Sequence, residues 1–238
     1  MAVVKENMND PSAFWGSRPF TNASLDYLKD ITTKKTWSAG AAIYREGDCH
    51  HYFYMVIEGT VKLTKTSDDG TTLTLHFYRP GDCFGEMNST RSAFTAEAVT
   101  PTTLSVIAGP DLELALGNRS DLALQFIHWQ AVRQNYLELK LRDLLFHGKK
   151  GALASTLIRA ANTYGINEDD GYVISRKLTN TELAELIGAT RETVNRMLTK
   201  MKQDRLIEID HGRIKLLDLQ GIKAICHCEN CPLSICRL

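Results

Sequence analysis

Cysteine is scarce through most of this chain. Only Cys49 and Cys83 precede position 226, while Cys226, Cys228, Cys231 and Cys236 crowd one short tail. A disulfide framework would spread its thiols through the fold, so this distribution excludes one. Long apolar runs are lacking too. No stretch is long and apolar enough to cross a bilayer, and the opening residues contain no apolar core of signal-peptide length. The expectation is a cytoplasmic protein with no membrane partner, in a compartment where clustered thiols bind metal or act in redox chemistry. A charge surplus is also missing. Lys+Arg 28 against Asp+Glu 28 gives a formal net charge of +0, so any nucleic-acid binding must come from local charge. There is no nucleophile–base set, phosphate loop or pair of catalytic carboxylates, so the reading is not an enzyme. His50 and His51 beside Asp48 follow a turn and read as surface residues.

What is present divides the 238 residues into styles. The fold class expected is α+β. Residues 1–22 are polar, carry Pro11, Gly16 and Pro19, and read as a loose arm. Residues 23–110 open with a short helix near Ser24–Asp30 and continue in short alternating runs. Tyr52/Tyr54/Val56, Val61/Leu63 and Leu73/Leu75/Phe77 show the strand period of two. Asp69-Gly70 between two such runs signals a hairpin. Many short strands at even spacing suggest a small barrel or sandwich.

Residues 111–147 contain no proline and turn helical. Leu122, Trp129 and Tyr136 recur every seven residues, as do Val132, Leu139 and Phe146, the pattern of a helix packed on another helix. The reading is a dimerisation helix with Leu122, Trp129, Val132, Tyr136 and Leu139 on its seam, giving a homodimer. Packing of this stripe on the chain's own barrel is the alternative, with Leu137, Leu141, Leu144 and Leu145 otherwise free for that purpose. Asp143 takes the next seam position. A carboxylate there needs a cation or a bound group, Lys140 and Arg142 being the nearest cations. Gly148-Lys-Lys-Gly151 reads as a hinge, Ala152–Tyr164 as a helix, Gly165–Gly171 as an acidic loop with Glu168, Asp169 and Asp170, and Tyr172–Ser175 as a strand.

Residues 151–220 hold the strongest local pattern. Thr179 followed by Glu182 makes a capping box. Leu183, Ala184 and Ile187 form an apolar face, and Gly188 suits a left-handed turn. Thr190 can cap a second helix whose inward face is Val194, Leu198 and Met201. Its outer face carries Arg191, Glu192, Asn195 and Arg196, chemistries that read base edges in the major groove. Thr193 and Lys200 suit phosphates. Arg213 and Lys215 after Gly212 read as a wing. Roughly nine Lys and Arg against six Asp and Glu from Gly171 to Lys215 supply the local surplus that double-stranded DNA requires.

At these residues the chain resembles the CRP/FNR family of bacterial transcription regulators. The order matches nearly throughout: a jelly-roll-like cyclic-nucleotide-binding β-roll, a long dimerisation helix and a winged helix-turn-helix. Ile187-Gly-Ala-Thr-Arg-Glu-Thr-Val-Asn-Arg196 is especially similar to the cyclic-AMP receptor branch, which implies a TGTGA-like palindrome read by Arg191, Glu192 and Arg196. Gly85-Glu86 and Arg91-Ser92 echo that branch's nucleotide cassette. The segment Met87–Thr90 between them is about half the usual length, however, and Leu137 and Glu138 replace the adenine-facing hydroxyls, so no cyclic nucleotide is expected.

The tail, residues 221–238, resembles that of Bacillus-type FNR regulators, with Cys228-x2-Cys231-x4-Cys236 in place of N-terminal cluster cysteines. The resemblance implies one 4Fe-4S cluster per subunit on Cys228, Cys231 and Cys236, with Asp143 as fourth ligand and Cys226 as a spare. From the residues alone, zinc on Cys228-x2-Cys231 or a thiol switch stays open. So does a small-ligand-gated regulator with a structural zinc. Cys49 and Cys83 read as small buried hydrophobes. The implied role is oxygen-responsive regulation, mainly activation, of anaerobic and nitrate-respiration genes through RNA polymerase, with the acidic loop near Glu168 as one contact surface.

Overall fold

The computed structural model describes residues 20–49, 51–86, 91–168, 171–233 and 235–238. The described chain divides into two compact units, one of 20–68 and 74–132, the other of 69–73 and 133–238. Among the described residues no helix is long and apolar enough to cross a membrane.

The first unit opens with α1 (Asn22–Leu28). The loose arm expected over 1–22 is tied down at its end; residues 1–19 lie outside the described residues. Phe20 is buried, its ring against Phe53 and Phe126, and Thr21 caps α1 by accepting from the Ser24 N–H. Eight strands follow: β1 (Thr33–Trp37), β2 (Ala42–Tyr44), β3 (Tyr52–Glu58), β4 (Val61–Thr66), β5 (Thr72–Tyr78), β6 (Cys83–Gly85), β7 (Thr95–Ala98) and β8 (Thr102–Ala108). They form two four-stranded sheets, ordered β1-β8-β3-β6 and β2-β7-β4-β5. The Asp69-Gly70 turn joins β4 to β5, with Gly70 at φ +82.

Strand alternation sorts the side chains into two cores. Tyr54, Val56, Leu104 and Val106 of one sheet meet Tyr44, Val61, Leu63, Tyr78 and Ala96 of the other, which closes the roll. Tyr54, Phe84 and Tyr78 stack with centroids 4.9 and 4.8 Å apart, filling the middle. The alternate residues Phe53 and Ile107 face a second cluster with Leu28, Leu112, Ala115, Leu122 and Trp129.

The helical stretch expected over 111–147 is two helices, α2 (Gly109–Asn118) and α3 (Ser120–Phe146). Gly117 and Asn118 are weak helix formers, and the chain turns there. Arg119 then clamps Asp121 in the first turn of α3 with two bonds of 2.8 and 2.7 Å.

The assignment of faces on α3 differs from the reading above. Leu122, Trp129 and Tyr136 are buried within their own chain at 1%, 6% and 6% exposure, and Val132 and Leu139 are half-buried. Leu124, Ile127, Leu137, Leu141 and Leu145 are exposed instead. A seven-residue repeat marks any face that packs along a helix, whether on its own chain or on another. Here Leu122, Trp129 and Tyr136 pack inward, and a mainly aliphatic set, with Phe146 at its end, is left outside.

The second unit is built on α4 (Gly148–Tyr164). The helix break expected over Gly148–Gly151 is confined to its start. Gly148 takes φ +58, and Lys149, Lys150 and Gly151 are already helical. Every residue from Gly151 to Ala161 is buried, so the helix is enclosed by its neighbours. Around it lie β9 (Gly165–Glu168), β10 (Gly171–Ile174), α5 (Asn180–Ile187), α6 (Arg191–Gln203), β11 (Ile207–Asp210), β12 (Arg213–Leu216) and α7 (Leu219–Ile225). The sheet order is β11-β12-β10-β9, all antiparallel. The acidic loop of the sequence reading is therefore a hairpin, with Glu168 on β9 bound to Lys215 at 2.9 Å; Asp169 and Asp170 lie outside the described residues. Met87–Thr90 and His50 lie outside them as well.

Candidate functional site

The reader is built as its local signals require. Thr179 accepts from the Glu182 N–H while Glu182 accepts from the Thr179 N–H, closing the capping box of α5. Arg176 holds Glu182 at 2.8 Å. Gly188 ends α5 at φ +59, a conformation that any side chain would strain. Thr190 then caps α6 by accepting from the Thr193 N–H at 3.2 Å. Val194, Leu198 and Met201 are buried beneath α6, and Leu183, Ala184, Leu186 and Ile187 beneath α5.

Arg191, Glu192, Asn195, Arg196 and Lys200 stand exposed on the outer face of α6, with Thr193 half-buried beside them. Internal contacts shape this face. Arg196 Nη2 donates to Thr193 Oγ1 at 3.3 Å, and Asn180 donates to Asn195 at 3.3 Å. Lys200 pairs with Asp204 at 2.7 Å, a contact that competes with phosphate. Gly212 at φ +78 turns the wing between β11 and β12, and Arg213 is exposed beside it. Lys215 lies on β12 of the same hairpin, as expected, and pairs with Glu168 at 2.9 Å.

The tail begins as α7, capped by Asp218, which accepts from the Gly221 N–H at 2.9 Å. Cys226 ends the helix and differs from the other three tail thiols. It is buried at 2% exposure, and its thiol lies 3.6 and 3.5 Å from the carbonyls of Ile222 and Lys223. Burial, with Cys228 and Asp143 nearby, pushes its pKa up to about 12, so it stays a thiol at neutral pH. Cys228, Cys231 and Cys236 are half-buried. The Asn230 N–H donates to Cys228 Sγ at 3.4 Å within a turn where His227 and Asn230 both take positive φ. Burial raises the Cys236 thiol pKa, against the lowering pull of the Arg159 charge.

Two residues of α4 moor the far end of the tail. Asn162 Nδ2 donates to the Cys236 carbonyl at 2.9 Å, and Thr163 Oγ1 accepts from the Leu238 N–H at 3.0 Å. The near end is held by Glu229, which pairs with Arg142 of α3. Arg142 also binds Asp143 at 2.8 Å. Asp143 is 3% exposed, and its other oxygen takes Arg159 Nη2 at 2.7 Å and the Ser155 hydroxyl at 2.5 Å. Arg159 also lies over the Tyr136 ring at 5.4 Å. Lys140 nearby is pushed down to about 7 by burial and by the Arg159 charge.

The structure thus gathers Asp143, Arg142, Arg159 and the cysteine tail into one neighbourhood, and it answers the puzzle of a seam carboxylate with two guanidinium partners. Among the described residues no three Cys, His, Asp or Glu side chains already converge as metal ligands. The donor set nevertheless suits a soft-metal group, with three half-buried thiols on a short segment held at both ends. Buried Arg159 Nη1 and Asn162 Oδ1, which have no hydrogen-bond partner, lie on the helix that moors this segment. Ser155, Arg159, Asn162 and Thr163 were missed in the sequence. Their i, i+4, i+7, i+8 polar spacing inside an apolar helix was the available signal. Cys83 is buried as expected, but Cys49 is exposed just after the Glu46-Gly47 turn.

In the roll, Glu86 accepts from the Ser92 hydroxyl at 2.8 Å and from the Ala93 N–H at 3.2 Å, and Arg91 donates to the Gly47 carbonyl. Gly85 has φ +140, and a Cβ there would lie 2.4 Å from the Tyr52 carbonyl oxygen. Close backbone packing accounts for that glycine.

Residues 34–118 match the model of the cyclic nucleotide-binding domain, and 151–225 match that of the Crp-like helix-turn-helix domain. The chain is 36% identical over 218 residues to the anaerobic regulatory protein of Bacillus subtilis (strain 168), covering 90% of this chain and 92% of that one. Among solved structures, a CRP/FNR-family transcriptional regulator from Thermus thermophilus is 30% identical, with a TM-score of 0.62 over 82% of this chain and 98% of that one. FixK2 from Bradyrhizobium japonicum, at 21% identity, shares the fold with a TM-score of 0.69 over 82% of this chain and 97% of that one.

Proposed function

The chain belongs to the CRP/FNR family of DNA-binding transcription regulators, which are not enzymes, and from that premise we propose that it is an oxygen-responsive regulator of anaerobic genes. One observation carries the reading. The cysteine tail is coupled to the end of α3 through Glu229–Arg142–Asp143 and to α4 through Asn162 and Thr163. A group held by that tail therefore bears on the helix that supports the reader.

Cys228, Cys231 and Cys236 would hold a 4Fe-4S cluster, with Asp143 as the fourth ligand. Such a cluster supplies a centre whose thiolate-bound iron is lost on reaction with oxygen. The chain's own residues do the rest. With the tail docked, Arg142 and Asn162 hold it against α3 and α4. The recognition helices of a dimer then keep the spacing that a palindromic operator of the TGTGA type demands. Release of the tail lowers the population of that arrangement. Cys226, buried at the end of α7 while the other three tail thiols are half-buried, suits a spare rather than a ligand. The expected setting is the cytosol, with activation of nitrate-respiration genes through RNA polymerase.

The roll is proposed to work without a cyclic nucleotide. Glu86 and Ser92 bind each other, and the Tyr54–Phe84–Tyr78 stack fills the interior. Zinc is a second reading, since the Asn230 N–H on Cys228 would support a thiolate for either metal. Protein prepared without air should be brown, contain iron and sulfide, footprint its operator, and lose all three on exposure to air. Colourless protein with stoichiometric zinc would favour the alternative, and full operator binding without iron would end the oxygen-sensing reading. In the same assay Cys231→Ser should abolish iron uptake while leaving the fold intact by circular dichroism.

The exposed aliphatic stripe Leu124, Ile127, Leu141 and Leu145 is the proposed homodimer seam. Ile127→Glu with Leu141→Glu should shift the protein to monomers in sedimentation and leave its melting cooperative. Trp129→Ala should instead cost about 3–5 kcal/mol of fold stability, because that ring is a core residue. A dimer unaffected by the double substitution would place the seam elsewhere.

A further inference from the structure

We propose that Arg159 is the positioning residue of the tail's metal site: it holds Asp143 in place when no metal is bound and supplies donors and positive charge to the sulfur-rich group that the tail carries. This rests on the cluster reading above.

The inference starts from an imbalance of buried charge. Arg142 and Arg159 share the single carboxylate of Asp143, and Lys140 lines the same small cavity as Asp143 and Arg159. Glu229 offsets part of this, but it is 62% exposed and screened by water. Arg159 has only 6% of its side chain exposed. A buried guanidinium with half a partner is expensive unless an anion completes it.

The second observation is an open valence. Arg159 Nε donates to Ser155 and Nη2 to Asp143, while Nη1 is buried with no hydrogen-bond partner. An unmade bond of this kind costs about 1–3 kcal/mol. One turn further along α4, Asn162 holds the Cys236 carbonyl with its amide nitrogen and leaves its buried oxygen unpartnered. Native interiors rarely leave two such atoms on one helix face without a further group to meet them. Cys236, the last of the three thiols, is thus moored one turn of α4 from Arg159.

An iron–sulfur group on three thiolates and a carboxylate is anionic overall. It accepts hydrogen bonds at sulfur, and net charge and such bonds set its reduction potential. Arg159 offers both. Outer residues of this kind commonly change metal retention by about 10–100-fold when removed. Glue between Tyr136 and Asp143 alone would have no such effect.

The test uses the full chain with the cluster assembled from iron and sulfide without air, in wild type, Arg159→Met and Arg159→Lys. Circular dichroism and urea midpoints of the cluster-free proteins report folding. Arg159→Met should release iron to a chelator at least about tenfold faster than wild type and show a more negative reduction potential. Arg159→Lys should recover much of the potential, having kept the charge, but little of the retention, having lost the planar fork. If Arg159→Met matches wild type in release and potential while its cluster-free form is less stable, Arg159 is a fold residue and the proposal is overturned. Should Arg159→Met fail to fold, Arg159→Lys decides: faster release supports the proposal, and unchanged release overturns it. Wild type that takes up neither iron nor sulfide would remove the cluster reading itself and this proposal with it, an outcome distinct from the others.

Discussion

Asp143→Ala is expected to destabilise the cluster-free protein by about 3–5 kcal/mol, measured as the shift in its urea unfolding free energy. The substitution leaves Arg142 and Arg159 facing each other with no carboxylate between them, and it strips the Ser155 hydroxyl of its acceptor. Losing one partner of a buried pair is far worse than losing both, because the survivor stays charged and dry. Loss of iron in Asp143→Ala would therefore not identify a ligand. Asp143→Asn keeps an oxygen for the Ser155 hydroxyl and is the fairer probe of ligation. A change below about 1 kcal/mol in Asp143→Ala would show that water or a neighbouring group replaces the carboxylate and that the network does not hold α3 to α4.

The second large effect belongs to the reader. Arg196→Ala should weaken operator binding by about 1–3 kcal/mol and relax discrimination at one guanine of each half-site. Arg191→Ala should act similarly at another base. Both side chains stand exposed on α6, whose buried face is Val194, Leu198 and Met201, so thermal stability should hardly move. Lys200→Ala is the control. It should weaken binding evenly across sequences and reduce the salt slope by about one. Equal losses on all sequences for Arg196→Ala would place that arginine on the backbone instead.

The reader was legible because its signals are local. A capping box, a glycine that must take positive φ and a cap on the next helix each act within four residues. They placed α5 and α6 within a residue or so, and the cysteine spacing marked the tail in the same way. On α3 the faces were harder to read, because two apolar stripes run along it and Leu122, Trp129 and Tyr136 of the expected seam are buried in their own chain. Period alone cannot say that Leu122 and Trp129 pack inward while Leu124, Ile127 and Leu141 do not. That choice is made by Phe20, Phe53 and Ile107, which come from distant parts of the chain. The partners of Asp143 were hidden for the same reason. Arg142 was visible as its neighbour, but Arg159 and Ser155 lie 16 and 12 residues away on another helix. The polar spacing along α4 marks a row of side chains but does not say which carboxylate on another helix it meets.

The enclosure of α4 from Gly151 to Ala161 bears on how such a molecule can diversify. A helix walled in on every side tolerates little drift, since each change of volume is felt by several neighbours. Novelty in what is sensed must therefore accumulate in the short thiol-bearing strap and in the few polar side chains that moor it, and novelty in what is bound must accumulate on the outer surface of α6. The two kinds of change can proceed separately, because the stiff rod between them stays the same.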